Sequence, residues 1–262
     1  MSWLWALASG RGKISGSFSQ ITATPLTAFA WFKHEGGGTN DENIMCINDA
    51  SSAVDYFRFG SEDGGTAIMA LTGSTAEGVD DAISTTSVTD SIWNTYICTH
   101  SSSTLRDIYL NNAGAGQNTF DVTPSGLDNF CIGRELDNTD SDSWEGNLAE
   151  VAVWDVVISA GHRAMLQAGY SPLCLWDILP NLVIYEPLDS PVLNRYLLHS
   201  GSPTLTASSG GPDTGEGDGT SPVYAADHPR IIHPSAQILQ FPSAAAVAGG
   251  TPRFLSLLGC GT

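Results

Sequence analysis

The residues best suited to chemistry lie in one stretch, Glu135-Leu136-Asp137-Asn138-Thr139-Asp140, continued by Ser141-Asp142-Ser143. Hydrolysis of a glycosidic bond needs two carboxyl groups roughly 5–9 Å apart across a cleft, and carboxylates at alternating strand positions would supply them. Glu135 is the candidate acid, but the third acid is Asp140 and the stretch runs on into Asp-Ser. It reads as a polar loop, not a catalytic strand. The same loop offers oxygen ligands, with Asp137, Asp140 and Asp142 as candidates for a calcium ion. Its spacing fails the EF-hand template, because Ser143 stands where glycine is needed and Ala149 where the terminal glutamate is needed. A solvated acidic loop is the competing expectation. Trp144, beside the acids, is the candidate for an exposed ring stacking on a glycan, against burial as a core or loop anchor. Trp31, Trp93 and Trp154 fall in strand patterns and are expected in the core.

Nucleophilic catalysis finds no footing. No Gly-x-Ser-x-Gly occurs, and the six histidines stand in unrelated contexts. His100 alternates with Tyr96 and Cys98 and is expected to be packed, whereas His162 is expected to be exposed in the second turn of a helix. His228 opens His228-Pro229-Arg230-Ile231-Ile232, the candidate partner-contact segment. Neither a phosphate-binding nor a dinucleotide glycine pattern is present. The five cysteines show no Cys-x-x-Cys and no Cys/His pair at zinc spacing, so Cys46, Cys98 and Cys131 are expected as buried free thiols. No enzymatic activity and no cofactor are expected, calcium being the one alternative.

The elements that must position these residues follow from composition. The chain has 262 residues, 10 Lys+Arg against 28 Asp+Glu, and a formal net charge of −18. Two lysines cannot furnish the phosphate-neutralising surface that nucleic acid needs, nor a basic patch for anionic lipid. Only 15% of residues are charged and 28 are glycine, a mix that suits strands joined by turns and not long helices. Apolar and β-branched runs at 25–34, 43–48, 54–59, 67–72, 92–100, 105–111, 127–133 and 147–154 are separated by turn-rich gaps, including 60–66 and 112–118. In the first run, Phe29 and Trp31 project one way and Leu26 and Phe32 the other, as in a central strand covered on both faces. Ser159 caps a helix that Gly169 ends, with Ala160, Ala164, Met165 and Leu166 expected against the sandwich. Residues 173–188 read as one or two further core strands. The fold expected is all-β: an antiparallel sandwich of jelly-roll type with one short helix over residues 1–190. Residues 191–262, rich in Gly, Ser and Pro, read as an extended C-terminal arm on the chain's own sandwich or a neighbouring subunit.

Trp31 within LTAFAWFK, WNTYICTH (93–100), LRDIYLN (105–111), CIGR (131–134) and EGNLAEVAVWDVVIS (145–159) together resemble the laminin-G-like, concanavalin A-like jelly rolls. The continuation AGYSPLCLWDILPNLVIYEPL, followed by AADHPRIIHPSA, resembles such proteins from tailed phages. That resemblance implies a virion structural protein made in the host cytoplasm and displayed on the outer surface, where acidic charge keeps particles apart. As a capsid decoration (cement) protein it would oligomerise and contact the major capsid protein. The alternative is a tail-fibre or adsorption protein binding host glycan near Trp144 and Asp137–Asp142, and the third a polysaccharide-cleaving glycanase using Glu135.

Overall fold

The computed structural model describes residues 2–5, 13–36, 41–62, 65–134, 143–190, 193–194, 202–208, 223–225 and 228–234. Fifteen strands occur among them: β1 (Ser2–Trp5), β2 (Lys13–Ser17), β3 (Leu26–His34), β4 (Glu42–Asn48), β5 (Tyr56–Glu62), β6 (Ala67–Ser74), β7 (Gly78–Ile83), β8 (Asn94–Ser102), β9 (Leu105–Leu110), β10 (Ala113–Asn118), β11 (Asn129–Ile132), β12 (Gly146–Trp154), β13 (Leu182–Glu186), β14 (Thr206–Ser208) and β15 (Val223–Ala225). They form two antiparallel sheets. One runs β10-β9-β8-β3-β12-β1-β15, with β13 also on β12; the other runs β14-β2-β11-β4-β5-β6-β7. Between them lies the main core, in which Leu26, Phe32, Phe59, Tyr96, Phe130 and Val151 are buried.

Alternation along β3 explains the second apolar layer. Leu26 and Phe32 enter the main core, while Phe29 and Trp31 face outward beneath helix α1 (Ala160–Gln167) and the turns that follow it, with Ile97, Trp154, Leu166 and Leu175. β3 is thus covered on both faces, as its sequence requires. Ser159 caps α1 by accepting the His162 amide at 3.2 Å. Of the four apolar positions expected to pack, Leu166 is buried and Met165 half-buried, but Ala160 and Ala164 face solvent. A two-turn helix resting on one leucine leaves no room for a wider apolar stripe.

One further expectation is corrected and another is narrowed. Residues 112–118 are not a gap: they carry β10, whose glycines let it approach the opposite sheet. A Cβ on Gly116 would stand 1.7 Å from the Ile83 carbonyl oxygen of β7. Residues 173–188 hold a single strand, β13, preceded by 3-10 turns at Pro172–Cys174 and Leu179–Asn181, because each proline fixes φ at a turn's start.

Three pieces of the C-terminal segment lie on the sandwich. β14 pairs with β2, β15 pairs with β1, and Ile232 bridges Tyr170 just beyond α1. The Ile232 amide donates to the Gly169 carbonyl (2.7 Å), and the Ser171 amide donates to the Ile232 carbonyl (2.9 Å). Gly169 is needed twice, since its φ is +89° and a Cβ there would meet the Arg230 carbonyl oxygen at 2.7 Å. Gly169→Ala is expected to destabilise the protein by about 1–2 kcal/mol. It should also speed hydrogen exchange at the Ile232 amide more than at amides of β3; equal protection at Ile232 in the variant would contradict the docking.

Candidate functional site

The outer face of the seven-stranded sheet is where alternation would present a glucanase's acids. Register places Ser15, Cys131, Cys46, Arg58 and Leu71 in one row across β2, β11, β4, β5 and β6, and Ser17, Asn129, Asn48, Tyr56 and Gly73 in another. Cys46, Cys131 and Tyr56 form an apolar cluster apart from the main core, which fixes these rows as outward-facing. The Tyr56 ring lies over Gly73, where a Cβ would come within 2.9 Å of it. Arg58 Nε donates to Asn43 Oδ1 at 2.9 Å, and the guanidinium lies 5.9 Å from the Tyr56 ring centre. The central positions, Cys131, Cys46, Arg58, Asn129, Asn48 and Tyr56, include no carboxylate. Cys46, Cys98, Cys131 and Cys174 are buried free thiols, and burial pushes the Cys98 thiol far up, so it stays protonated.

A buried charged constellation sits at an end of the sandwich, where β3 runs out. His34 is enclosed, with Nδ1 2.8 Å from Asp90 Oδ1 and Nε2 3.2 Å from Glu42 Oε1. The other Glu42 oxygen accepts the Glu145 amide at 3.0 Å. Burial alone would lower the His34 pKa, but hydrogen bonds and charge from Glu42 and Asp90 outweigh it and raise it to about 9. Burial and the Glu42 charge push the Glu145 carboxyl up. The His34 ring thus ties β3, β4, the segment before β8 and, through Glu42, the entry to β12. The same entry closes the 135–142 loop: the Trp144 amide donates to the Gly133 carbonyl at 2.8 Å, and Ser143 bridges Asn43.

Trp144 belongs to this anchor. It is fully buried, edge-on to Phe32 at 5.5 Å and to His34 at 5.6 Å, which corrects its assignment as an exposed stacking ring. Adjacent acids suggested a surface position; the ring instead turns inward because β12 begins there. Asp137, Asp140 and Asp142, the calcium candidates, and Glu135 lie outside the described residues. Among the described residues no group of three or more metal-ligating side chains comes together.

The remaining candidates are scattered. In the partner-contact segment Pro229 is buried, Arg230 is exposed, His228, Ile231 and Ile232 are half-buried, and the His228 ring stands 6.3 Å from Trp93. Both backbone groups of Ile232 are satisfied by the chain's own helix exit, which leaves Arg230 as the exposed side chain of the segment. His100 is packed between Phe57 and Phe59, and burial with the nearby Arg106 charge lowers its pKa to about 3. His162 is half-buried, not exposed, because it completes the helix cap and reaches Asp177 at 3.0 Å. A buried chain links Ser171 to the Tyr185 hydroxyl (3.0 Å), which donates to Glu150 Oε2 (2.7 Å). With its hydroxyl enclosed, Ser171 has no route to a substrate. Trp176, 76% exposed, is the aromatic side chain that sequence reasoning missed, since LCLWDIL reads as a buried run.

Two antiparallel sheets packed face to face, with α1 over one of them, have the architecture of a jelly roll. The chain belongs to the concanavalin A-like lectin/glucanases superfamily, whose laminin-G-type model matches residues 9–162. Among solved structures, the carbohydrate-binding module (CBM40) of the Ruminococcus gnavus IT-sialidase, bound to α2,3-sialyllactose, is 12% identical with a TM-score of 0.52, over 64% of this chain and 97% of that one. A putative carbohydrate-binding protein from Bacteroides ovatus is 15% identical with a TM-score of 0.52, over 80% of this chain and 58% of that one. A heptameric pentraxin from Limulus polyphemus is 14% identical with a TM-score of 0.49, over 63% and 80%. At these identities the likeness is one of fold. No curated protein sequence matches the chain.

Proposed function

We propose that the chain is a non-catalytic glycan-binding protein. The observation that carries this is the outer face of the seven-stranded sheet: its central positions hold amides, an arginine, a tyrosine and thiols, while of the acids bordering them among the described residues Asp41 is paired with Arg58 at 3.8 Å and Asp81 stands at the β7 end of the row. Carbohydrate binding by proteins of the same fold, the sialyllactose-bound module among them, supports the binding half of the reading. The setting proposed is the outer surface of a virion, on the resemblance of the His228–Ile232 arm to phage proteins. Within that setting, host-glycan adsorption is favoured over capsid decoration, because β14, β15 and Ile232 already use their backbone groups on the chain's own sandwich.

The test is a broad panel of immobilised polysaccharides, read for retention of the labelled protein and for release of reducing ends. Retention without release is expected, and Glu135→Gln should leave it unchanged. Release of reducing ends that this substitution abolishes would establish the glycanase instead, and retention of nothing would end the glycan reading. Cryo-EM of the particle then separates tail from head.

A further inference from the structure

The geometry points to a neutral-sugar binding site at the turn Leu175–Ile178, built on Trp176 and Asp177. It rests on the glycan-binding reading and lies beyond the family match, which ends at residue 162.

The turn is rigid. Leu175 is buried and Ile178 packs beside it in the apolar layer between α1 and the eight-stranded sheet. The Ile178 amide donates to the Leu175 carbonyl at 3.1 Å, which closes the turn with Trp176 and Asp177 at its two central positions. On one side the Leu175 amide donates to Pro172 (3.2 Å), and on the other the Asn181 amide donates to Ile178 (3.0 Å). The backbone that carries the exposed indole is thereby fixed by its buried neighbours, so little of the turn itself needs ordering on binding.

Asp177 is aimed as well. The Ser159 amide donates to His162 Nδ1 (3.3 Å), so the proton of a neutral imidazole sits on Nε2 and is donated to Asp177 Oδ2 at 3.0 Å. One carboxylate oxygen is engaged, and the other is left to accept hydroxyl protons in a half-exposed position. A flat apolar face beside a fixed, strong acceptor matches a pyranose, which offers C–H groups on one face and hydroxyls at its rim.

Size and charge narrow the ligand. One aromatic side chain covers on the order of 150–250 Å², far short of the roughly 800 Å² a protein partner needs on each side and close to what one sugar ring covers. Among the described residues the basic groups nearest the turn are already engaged, His162 with Asp177 at 3.0 Å and Arg163 4.0 Å over the Tyr109 ring. Asp177 and a net charge of −18 repel acidic sugars. The ligand class is therefore a neutral hexose-bearing glycan. For one sugar the Kd is on the order of millimolar, so useful avidity comes from several copies.

The test uses the full chain, wild type, Trp176→Ala and Asp177→Asn, on polyvalent neutral, sialylated and uronic-acid glycans. Saturation-transfer NMR on a free neutral hexoside runs in parallel. Wild type should bind neutral glycans, and Trp176→Ala should lose about tenfold or more in signal with an unchanged melting temperature. Neutral-glycan binding that survives Trp176→Ala would overturn this site while leaving the glycan-binding reading intact. Preference for sialylated or uronic-acid glycans would overturn the charge argument. Binding to nothing on the panel would remove both this site and the reading beneath it.

Discussion

Trp144→Ala is expected to cost about 3–5 kcal/mol of unfolding free energy, lowering the thermal midpoint by roughly 10 °C or more. The indole is completely enclosed and touches Phe32 and His34 edge-on. Its removal leaves a large cavity beneath the base of the 135–142 loop, and rigid strands on both sides cannot close it. Trp144→Phe keeps most of the volume and should retain more than half of the stability. Glycan retention by that variant should equal the wild type's. A stable Trp144→Ala protein with lost glycan binding would return Trp144 to the ligand site and refute its role as an anchor.

The second large effect is a pH dependence set by His34. Its folded-state pKa, about 9, lies above the ordinary value of 6.5. Its contribution is therefore complete below about pH 6.5 and is lost as pH rises through about 9. At about 1.36 kcal/mol per unit the ceiling is about 3 kcal/mol. Screening at Asp90, whose side chain is half exposed, brings the expected value nearer ~2 kcal/mol. Glu42→Gln removes the principal buried counter-charge and should flatten the dependence. Urea midpoints of both proteins at pH 6, 8 and 10 supply the check: the difference between them should shrink towards alkaline pH. A difference that stays constant across that range would show that His34 is neutral in the folded protein.

The interior was legible because burial leaves a periodic signature. β3 was readable from Phe29 and Trp31 on one face and Leu26 and Phe32 on the other, and β8, β9 and β12 from similar alternation. The sheet margins left no such mark. β1, β14 and β15 are three or four residues long and are defined by partner strands distant in sequence, and β10, paired with the adjacent β9, is Ala-Gly-Ala-Gly at its start. The site was least legible for a related reason. Trp144 sits among acids yet is buried by the strand it introduces, whereas Trp176 sits among leucines yet is exposed by a turn closed through Ile178. Hydrophobic neighbours in sequence predict a side chain's surroundings only while the backbone keeps one period. At both tryptophans the period breaks.

One consequence of strand order concerns time. β1 bonds to Gly146–Leu148 on one side and Val223–Ala225 on the other, so it has no partner until those segments exist. A chain emerging at roughly 5–20 residues per second keeps Trp3, Leu4 and Trp5 waiting about 10–40 s for the second of them. Until then the backbone groups of β1 are unpaired, an open strand edge. β3, by contrast, meets β8 within some seventy residues. Synthesis thus completes the pairing of β3 with β8 well before that of β1 with β15.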